Sequence, residues 1–256
     1  MGTKFLEQTR VVSNTAVYPG TYSLQVVAPR IISAALPGQF VMVEINSLND
    51  PLLNRPLGIA AVDESEGILT MVYRVIGRGT SLLTEKKPGE MINVVGPLGN
   101  GFTMTAKRPL LIGGGMGLAP LLYVAQKFCP TPVEVIAGGR TKDEMFWADL
   151  FAEVCEHVHV TTDDGTLGTQ GTCVSLLSPL SKDKQFDAIL ACGPEPMLRA
   201  VAECAAALNI PCQVSLEKHM ACGFGACLTC TCESIDGKHL QVCKHGPVFN
   251  AEEVKL

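Results

Sequence analysis

The sequence predicts an antiparallel β domain, then a doubly wound α/β domain with a parallel sheet, then a small cysteine-rich C-terminal domain. Three observations predict it. Strand-like runs separated by Pro-Gly turns fill the first hundred residues. From Arg108 onward, short apolar strands alternate with helical stretches. Five of the eleven cysteines crowd between Cys222 and Cys243. A chain of 256 residues has room for such a division, with boundaries expected at 1–105, 106–211 and 212–256.

The first domain rests on strand-like runs at Arg10–Val17, Tyr22–Val27, Gln39–Ile45, Ile68–Val75 and Met91–Val95. Pro19-Gly20, Pro37-Gly38 and Pro88-Gly89 punctuate them. Short strands at this spacing suit a small barrel or a sandwich.

The second domain opens with the apolar strand Leu110–Ile112, followed by a Gly-rich turn and a helix over Leu118–Phe128. Further strands are expected at Val133–Ala137, Val158–Thr161 and Ala188–Cys192. Thr141-Lys142-Asp143-Glu144 has the form of a capping box for a helix running to Val154. Pro196 suits the first helical position ahead of Met197–Leu208. This alternation argues for a parallel sheet. A last strand, Gln213–Leu216, leads into the cysteine-rich tail.

Composition excludes several function classes. Apolar residues make up 47% and charged residues 18%, which is globular rather than disordered. The formal net charge of −5, with no long Lys/Arg run, argues against nucleic acid or anionic membrane as partner. Met1–Arg10 lacks the apolar stretch of a signal peptide. The longest uncharged run, Pro109–Gln126, is broken by glycines and a proline and does not suit a membrane span. A soluble, cytoplasmic protein is expected, and there dense cysteine points to metal or redox chemistry rather than disulfides.

The spacing Cys222-x4-Cys227-x2-Cys230-x12-Cys243 follows the plant-type [2Fe–2S] pattern. Four thiolates on a short loop repel one another unless cations neutralise them. Gly223 and Gly225 let the backbone bend close to sulfur and aim N–H groups at it. Structural zinc, the alternative, draws its ligands from two short knuckles, whereas three of these four come from one loop. Cys232 breaks the spacing and is left out. His219 and His245 flank the loop, but a Rieske centre needs histidines in place of two cysteines, and four cysteines already suffice. Cys129, Cys155, Cys173, Cys204 and Cys212 read as small buried apolar residues.

Gly113, Gly114, Gly115 and Gly117 lie between a strand and a helix, where backbone N–H groups and a helix N-terminus can meet a phosphate. No acidic residue ends the next strand, as the usual dinucleotide fingerprint requires; that strand runs into Gly138-Gly139-Arg140. Cys192-Gly193-Pro194 follows a later strand at its C-terminal end, the edge where such sheets bind ligands. A plain strand-to-helix turn is the alternative.

Arg55-Pro56-Leu57-Gly58, the Gly113–Gly117 loop and the Cys192-Gly193-Pro194 turn, in this order, resemble the ferredoxin–NADP reductase superfamily. The C-terminal cysteines narrow the resemblance. Met220–Cys227 followed by Val242–Phe249 is similar to the electron-transfer subunits of dihydroorotate dehydrogenase B, over essentially the whole chain. The resemblance implies a β barrel holding FAD, a second domain holding NAD and a [2Fe–2S] cluster on Cys222, Cys227, Cys230 and Cys243. It also implies FAD contacts at Arg55, Pro56, Leu57, Gly58, Val72, Tyr73, Arg74, Gly79 and Thr80. NAD contacts would come from Gly113, Gly114, Gly115, Gly117, Cys192, Gly193 and Pro194, with Cys192 near the nicotinamide. Superfamily members often carry Ser or Thr where Gly58 stands, so hydroxyl assistance of hydride transfer there is not expected.

Flavin exchanges both hydride and single electrons, so it must lie between nicotinamide and cluster, and the cluster must fold back toward it. The resemblance implies a partner, an FMN-containing dihydroorotate dehydrogenase catalytic subunit, in a heterotetramer serving pyrimidine biosynthesis. No acid–base residue is assigned. The alternative is the flavin and iron–sulfur subunit of a ferredoxin- or hydrogenase-linked NAD(P)H oxidoreductase. A non-catalytic redox sensor is a third reading. Arg140 leaves the choice between NAD and NADP open.

Overall fold

The computed structural model describes residues 3–45 and 50–256; Met1 and Gly2, the start of the N-terminal stretch read above, lie outside them. The first part of the chain runs β1 (Phe5–Tyr18), β2 (Thr21–Val27), α1 (Pro29–Ile32), β3 (Phe40–Val43), β4 (Arg55–Asp63), β5 (Ile68–Arg74), α2 (Arg78–Leu83) and β6 (Met91–Leu98). The strands close into an antiparallel barrel in the order β1-β2-β5-β4-β3-β6, which decides between barrel and sandwich. Closure removes exposed sheet edges. Period-two alternation turns Val11, Leu24, Val26, Leu69, Met71 and Tyr73 into the barrel core. Buried Glu7 accepts the backbone N–H of Ile31 at 3.0 Å and of Arg30 at 3.3 Å, so its carboxylate closes the first turn of α1.

β4 has no counterpart among the strands expected from sequence. Pro56 and Gly58 look like turn chemistry, yet both sit in register opposite Met42 and Phe40 of β3. The pairing begins at the head of β4, where proline costs least.

The second part contains β7 (Pro109–Gly114), α3 (Leu118–Phe128), β8 (Glu134–Gly139), α4 (Trp147–Ala152), β9 (His157–Thr162), β10 (Thr169–Gln170), α5 (Val174–Asp183), β11 (Ala188–Cys192), α6 (Glu195–Leu208) and β12 (Cys212–Ser215). β13 (Thr231–Glu233), β14 (His239–Gln241), α7 (Val242–His245) and β15 (Val248–Asn250) follow. One sheet runs β10-β9-β8-β7-β11-β12-β15. Its pairs are parallel except for β15, which returns antiparallel to β12 with Phe249 opposite Val214. The cysteine-rich tail thus closes the sheet's edge. β13 and β14 form a separate hairpin.

The expected capping box does not form. Lys142–Glu144 make a single 3₁₀ turn, α4 starts only at Trp147, and Thr141 makes no side-chain cap. The Glu144 carboxylate turns back to Arg140 instead, accepting its backbone N–H at 2.9 Å.

The barrel is fused to the sheet through shared cores. Phe40, Met42 and Leu98 of the barrel belong to the same apolar cluster as Ile112, Ile189, Val214, Cys243 and Phe249. On the other side, α3 sends Tyr123 into the barrel core, with its hydroxyl donating to the Ala35 carbonyl at 3.3 Å. Gln213 of β12 clasps the main chain of Thr103, accepting its N–H at 2.9 Å and donating to its carbonyl at 3.3 Å. These contacts fix the orientation of the barrel on the sheet, and a cleft opens between them.

Candidate functional site

The cleft measures about 1400 Å³ and lies along the C-terminal ends of β7, β8, β9, β11 and β12, facing β4 and β5 of the barrel. This is the sheet edge at which doubly wound folds bind ligands. Most of the residues singled out from sequence converge there.

On the barrel side, Arg55, Pro56, Leu57, Gly58, Val72, Tyr73, Arg74 and Thr80 line the cleft. Their roles divide by strand alternation. Arg74 is exposed, while Tyr73 between it and Val72 points into the barrel core. The Tyr73 hydroxyl donates to Asn14 Oδ1 at 3.1 Å, and burial pushes it up to about 12. Tyr73 is therefore a wall residue, not a free hydroxyl. Thr80 is also committed. Its hydroxyl accepts the N–H of Ile76 at 3.0 Å and of Gly77 at 3.3 Å and donates to the Gly77 carbonyl. It shapes the loop that follows β5. Gly79 lies under the Arg55 guanidinium so closely that a Cβ would come to 2.2 Å of it. Gly58 faces Pro120 of α3 at ordinary contact distance.

On the sheet side, Gly114, Gly115 and Gly117 line the cleft ahead of α3, whereas Gly113 is packed behind them against Leu118. Gly117 has a strict steric reason: a Cβ there would stand 2.4 Å from the Cys192 carbonyl oxygen. The β7 and β11 loops thus touch main chain to main chain, and the 3₁₀ turn Gly115–Gly117 and the first turn of α3 are left open to an anion. Pro194 and the edge of Cys192 line the same wall, while Gly193 packs against Met197. Burial pushes the Cys192 thiol up, with the Glu217 carboxylate adding to the shift. Cys192 is accordingly neutral and no nucleophile.

Sequence reasoning missed Glu217, Lys218 and Asp163, which also line the cleft. Glu217 is exposed on the cleft wall, where desolvation by the surrounding protein pushes its carboxyl up. A legible signal existed for Asp163, since Thr162-Asp163-Asp164-Gly165 ends a strand at the binding edge. Glu217 had only its place after β12.

The cysteines form two pairs. Cys222 Sγ accepts the backbone N–H of Ala226 at 3.3 Å and of Cys227 at 3.4 Å. Cys230 Sγ accepts the N–H of Cys243 at 3.4 Å. The Cys222 and Cys227 thiols are neighbours, as are those of Cys230 and Cys243, and all four are free. Tetrahedral zinc needs four donors around one point; a two-iron cluster needs two thiolates on each of two irons. The donor set fits the latter. Burial raises the Cys222 thiol, but the N–H groups of Phe224, Cys227 and Ala226 together bring it below its ordinary value. The Thr229 hydroxyl and N–H lower Cys227 to about 6. Such donors stabilise thiolate. Cys227 is exposed, whereas Cys230 and Cys243 are buried. Cys232 is buried beside them. The ring Nδ1 of His245 accepts the Gln241 N–H at 3.0 Å, and His219 faces the cleft.

The loop does fold back onto the barrel. Gly223, with φ of +78°, sits against Met42 and Leu98. Asn100, just past β6, donates its backbone N–H to the Gly246 carbonyl at 2.6 Å and its side chain to the His245 carbonyl at 2.8 Å. Ala221 and Thr229, neighbours of Cys222 and Cys230, line the cleft itself.

Comparison with known proteins agrees with this architecture. The family model for the iron–sulfur cluster binding domain of dihydroorotate dehydrogenase B matches residues 217–255. The chain is 41% identical over 258 residues to the electron transfer subunit of dihydroorotate dehydrogenase B (NAD(+)) from Bacillus caldolyticus, covering 98% of both. The same values hold for the subunit of that name from Geobacillus kaustophilus. A solved NADH-dependent reduced ferredoxin–NADP oxidoreductase superposes with a TM-score of 0.87 at 31% identity, over 97% of this chain and 90% of that one. The sequence match runs over nearly the whole of both chains, and the chain belongs to the family of dihydroorotate dehydrogenase B electron transfer subunits.

Proposed function

We propose that this chain carries electrons from an FMN-containing dihydroorotate dehydrogenase catalytic subunit, through a [2Fe–2S] cluster and FAD, to NAD⁺. The observation that carries the reading is the seating of the cysteine loop on the barrel at Met42 and Leu98, beside the cleft that the glycine loop also enters. In the overall reaction dihydroorotate loses two electrons and two protons, NAD⁺ gains a hydride, and one proton is released. Bound flavin supplies the exchange between paired and single electrons, and a bound two-iron cluster moves electrons singly.

The chain's own residues hold and separate these groups. Cys222 and Cys227 would take one iron, Cys230 and Cys243 the other. Arg55 to Gly58, Val72 to Arg74, Gly79 and Thr80 form the FAD wall. Within it the Arg55 guanidinium is the planar donor suited to a pyrophosphate, and Thr80 braces the loop. Gly114, Gly115 and Gly117 receive the NAD pyrophosphate at the head of α3, with Gly113 packed behind them. Cys192, Gly193 and Pro194 border the nicotinamide. Gly58 offers only main-chain groups, so no side-chain hydroxyl assists there. The functional units follow residues 1–105, 106–211 and 212–256. None of the eleven cysteines is in a disulfide, which suits a cytoplasmic location. The assembly is a heterotetramer with the catalytic partner.

The structural likeness to a ferredoxin–NADP oxidoreductase favours one rival, a ferredoxin-linked subunit. Co-expression with the FMN-binding dehydrogenase of the same host separates them. The proposal expects a stable complex that reduces NAD⁺ with dihydroorotate. A chain that forms no such complex, and instead reduces ferredoxin with NADH, overturns it.

A further inference from the structure

The residue just past β8 is basic. β8 neighbours β7, whose glycine loop receives the pyrophosphate, so the adenosine ribose lies over the end of β8. In that position an acidic residue binds the ribose hydroxyls of NAD, and an arginine accommodates the 2′-phosphate of NADP. On sequence alone Arg140 therefore leaves NADP open beside NAD, whereas the relatives' names are NAD-linked.

The structure resolves the conflict through Glu144. Its carboxylate accepts the Arg140 backbone N–H at 2.9 Å, Nε at 2.9 Å and a terminal guanidinium nitrogen at 2.5 Å. The Glu144 side chain is 13% exposed, against 74% for Arg140. The acid is thus the fixed partner, anchored in the 3₁₀ turn, and the arginine is folded down onto it. Asp163 faces Arg140 from the end of β9 and lines the cleft. Its place is set by the bond from its N–H to the Gly139 carbonyl at 3.0 Å and by that from Asp164 N–H to the Arg140 carbonyl at 3.2 Å. Arg74 approaches Glu144 from the barrel, and Tyr18 stands near Arg140. The two arginines and two acids balance in charge, so a doubly charged 2′-phosphate gains no net attraction and would have to break the Arg140–Glu144 pair.

We propose that Glu144, by holding Arg140, selects a dinucleotide with a free 2′-hydroxyl, and that Asp163 is the acceptor for that hydroxyl. The selectivity is thus carried by an ion pair rather than by an acidic residue at the strand end. This rests on the NAD site proposed above.

The test uses holoprotein and two redox-inert probes, ADP-ribose and 2′-phospho-ADP-ribose, with calorimetry as readout. Wild type should bind ADP-ribose at least about tenfold more tightly, the scale of one charged hydrogen bond. Glu144→Gln should tighten 2′-phospho-ADP-ribose about tenfold, and the gain should vanish in the double variant with Arg140→Met. Asp163→Asn, which leaves the ion pair intact, should weaken ADP-ribose and narrow the ratio. It serves as the second test should Glu144→Gln fold poorly. A wild-type preference for the 2′-phosphate, an unchanged ratio in Glu144→Gln, or a gain that survives loss of Arg140 overturns the inference. Binding of neither probe by wild type would instead remove the NAD site itself.

Discussion

Gly223 of the cysteine loop lies against Met42 of the barrel wall, so closely that a Cβ at position 223 would come within 2.6 Å of Met42 Cγ. This contact joins the last unit of the chain to the first. It places the cysteine pairs beside the cleft, as single-electron exchange between cluster and flavin demands.

Gly223→Val tests that contact. Both the positive φ and the clash disfavour a side chain, with an expected cost of about 2–3 kcal/mol. The loop should lift from the barrel. Iron retention should fall, while FAD, held by the barrel and its neighbour, stays bound. Absorption spectra and iron analysis of the purified variant read both at once; full iron with an unchanged melting temperature would argue that the loop is seated otherwise.

Gly117→Ala probes the approach of the β7 and β11 loops. The added methyl would meet the Cys192 carbonyl at 2.4 Å and push the anion-binding turn away from the cleft. NADH binding should weaken about tenfold or more, with flavin and cluster spectra unaltered. Equilibrium titration of the holoprotein gives the number, and an unchanged dissociation constant contradicts the assignment of this loop.

Cys227 and Cys232 should behave in opposite ways. Cys227→Ser removes the exposed member of the Cys222–Cys227 pair and should abolish stable cluster assembly. Cys232→Ser alters a buried thiol outside both pairs and should keep iron and acid-labile sulfide at wild-type levels. Parallel analysis under anaerobic conditions decides, and loss of iron in the Cys232 variant alone would reassign the ligands.

At the opposite edge of the sheet, Glu134 of β8 is buried, with Lys184 Nζ at 2.8 Å and His159 Nε2 at 2.9 Å. Burial raises its carboxyl, but the hydrogen bonds from Lys184 and His159 outweigh that and hold it below 4.5. A carboxylate depressed in the folded state contributes stability above its ordinary value of 4.5, and the contribution is lost as the pH falls through the lower folded value. Lys184→Met should destabilise by roughly 2 kcal/mol at neutral pH, and the deficit should shrink below the carboxylate range. Melting temperatures of both proteins from pH 7 to pH 3 check this; a deficit that grows with acid would have the wrong sign.

Much of this architecture was legible because the signals are local. The helix Leu118–Phe128 and the strand Ala188–Cys192 stand where apolar runs and flanking glycines put them. The cysteine spacing is read from four residues of one type alone. What escaped depends on distant partners. β4 is a strand because β3 and β5 pair with it, despite Pro56 and Gly58. β15 is three residues whose only strand signal is the free edge of β12. Thr141 and Glu144 satisfy the capping pattern, but Arg140 competes for the Glu144 carboxylate and wins with a charged partner. Tyr73 and Thr80 line the cleft as their segments do, yet strand alternation and a local loop occupy their hydroxyls.

In the proposed function one chain conducts electrons between nicotinamide and a two-iron cluster by way of flavin. Anaerobic titration of the holoprotein with NADH, followed by visible absorption and electron paramagnetic resonance, tests it most directly. Flavin bleaching should be accompanied by the signal of a reduced [2Fe–2S] centre in the same molecules. Flavin that bleaches while the centre stays oxidised, or a preparation holding zinc in place of iron and sulfide, would contradict it.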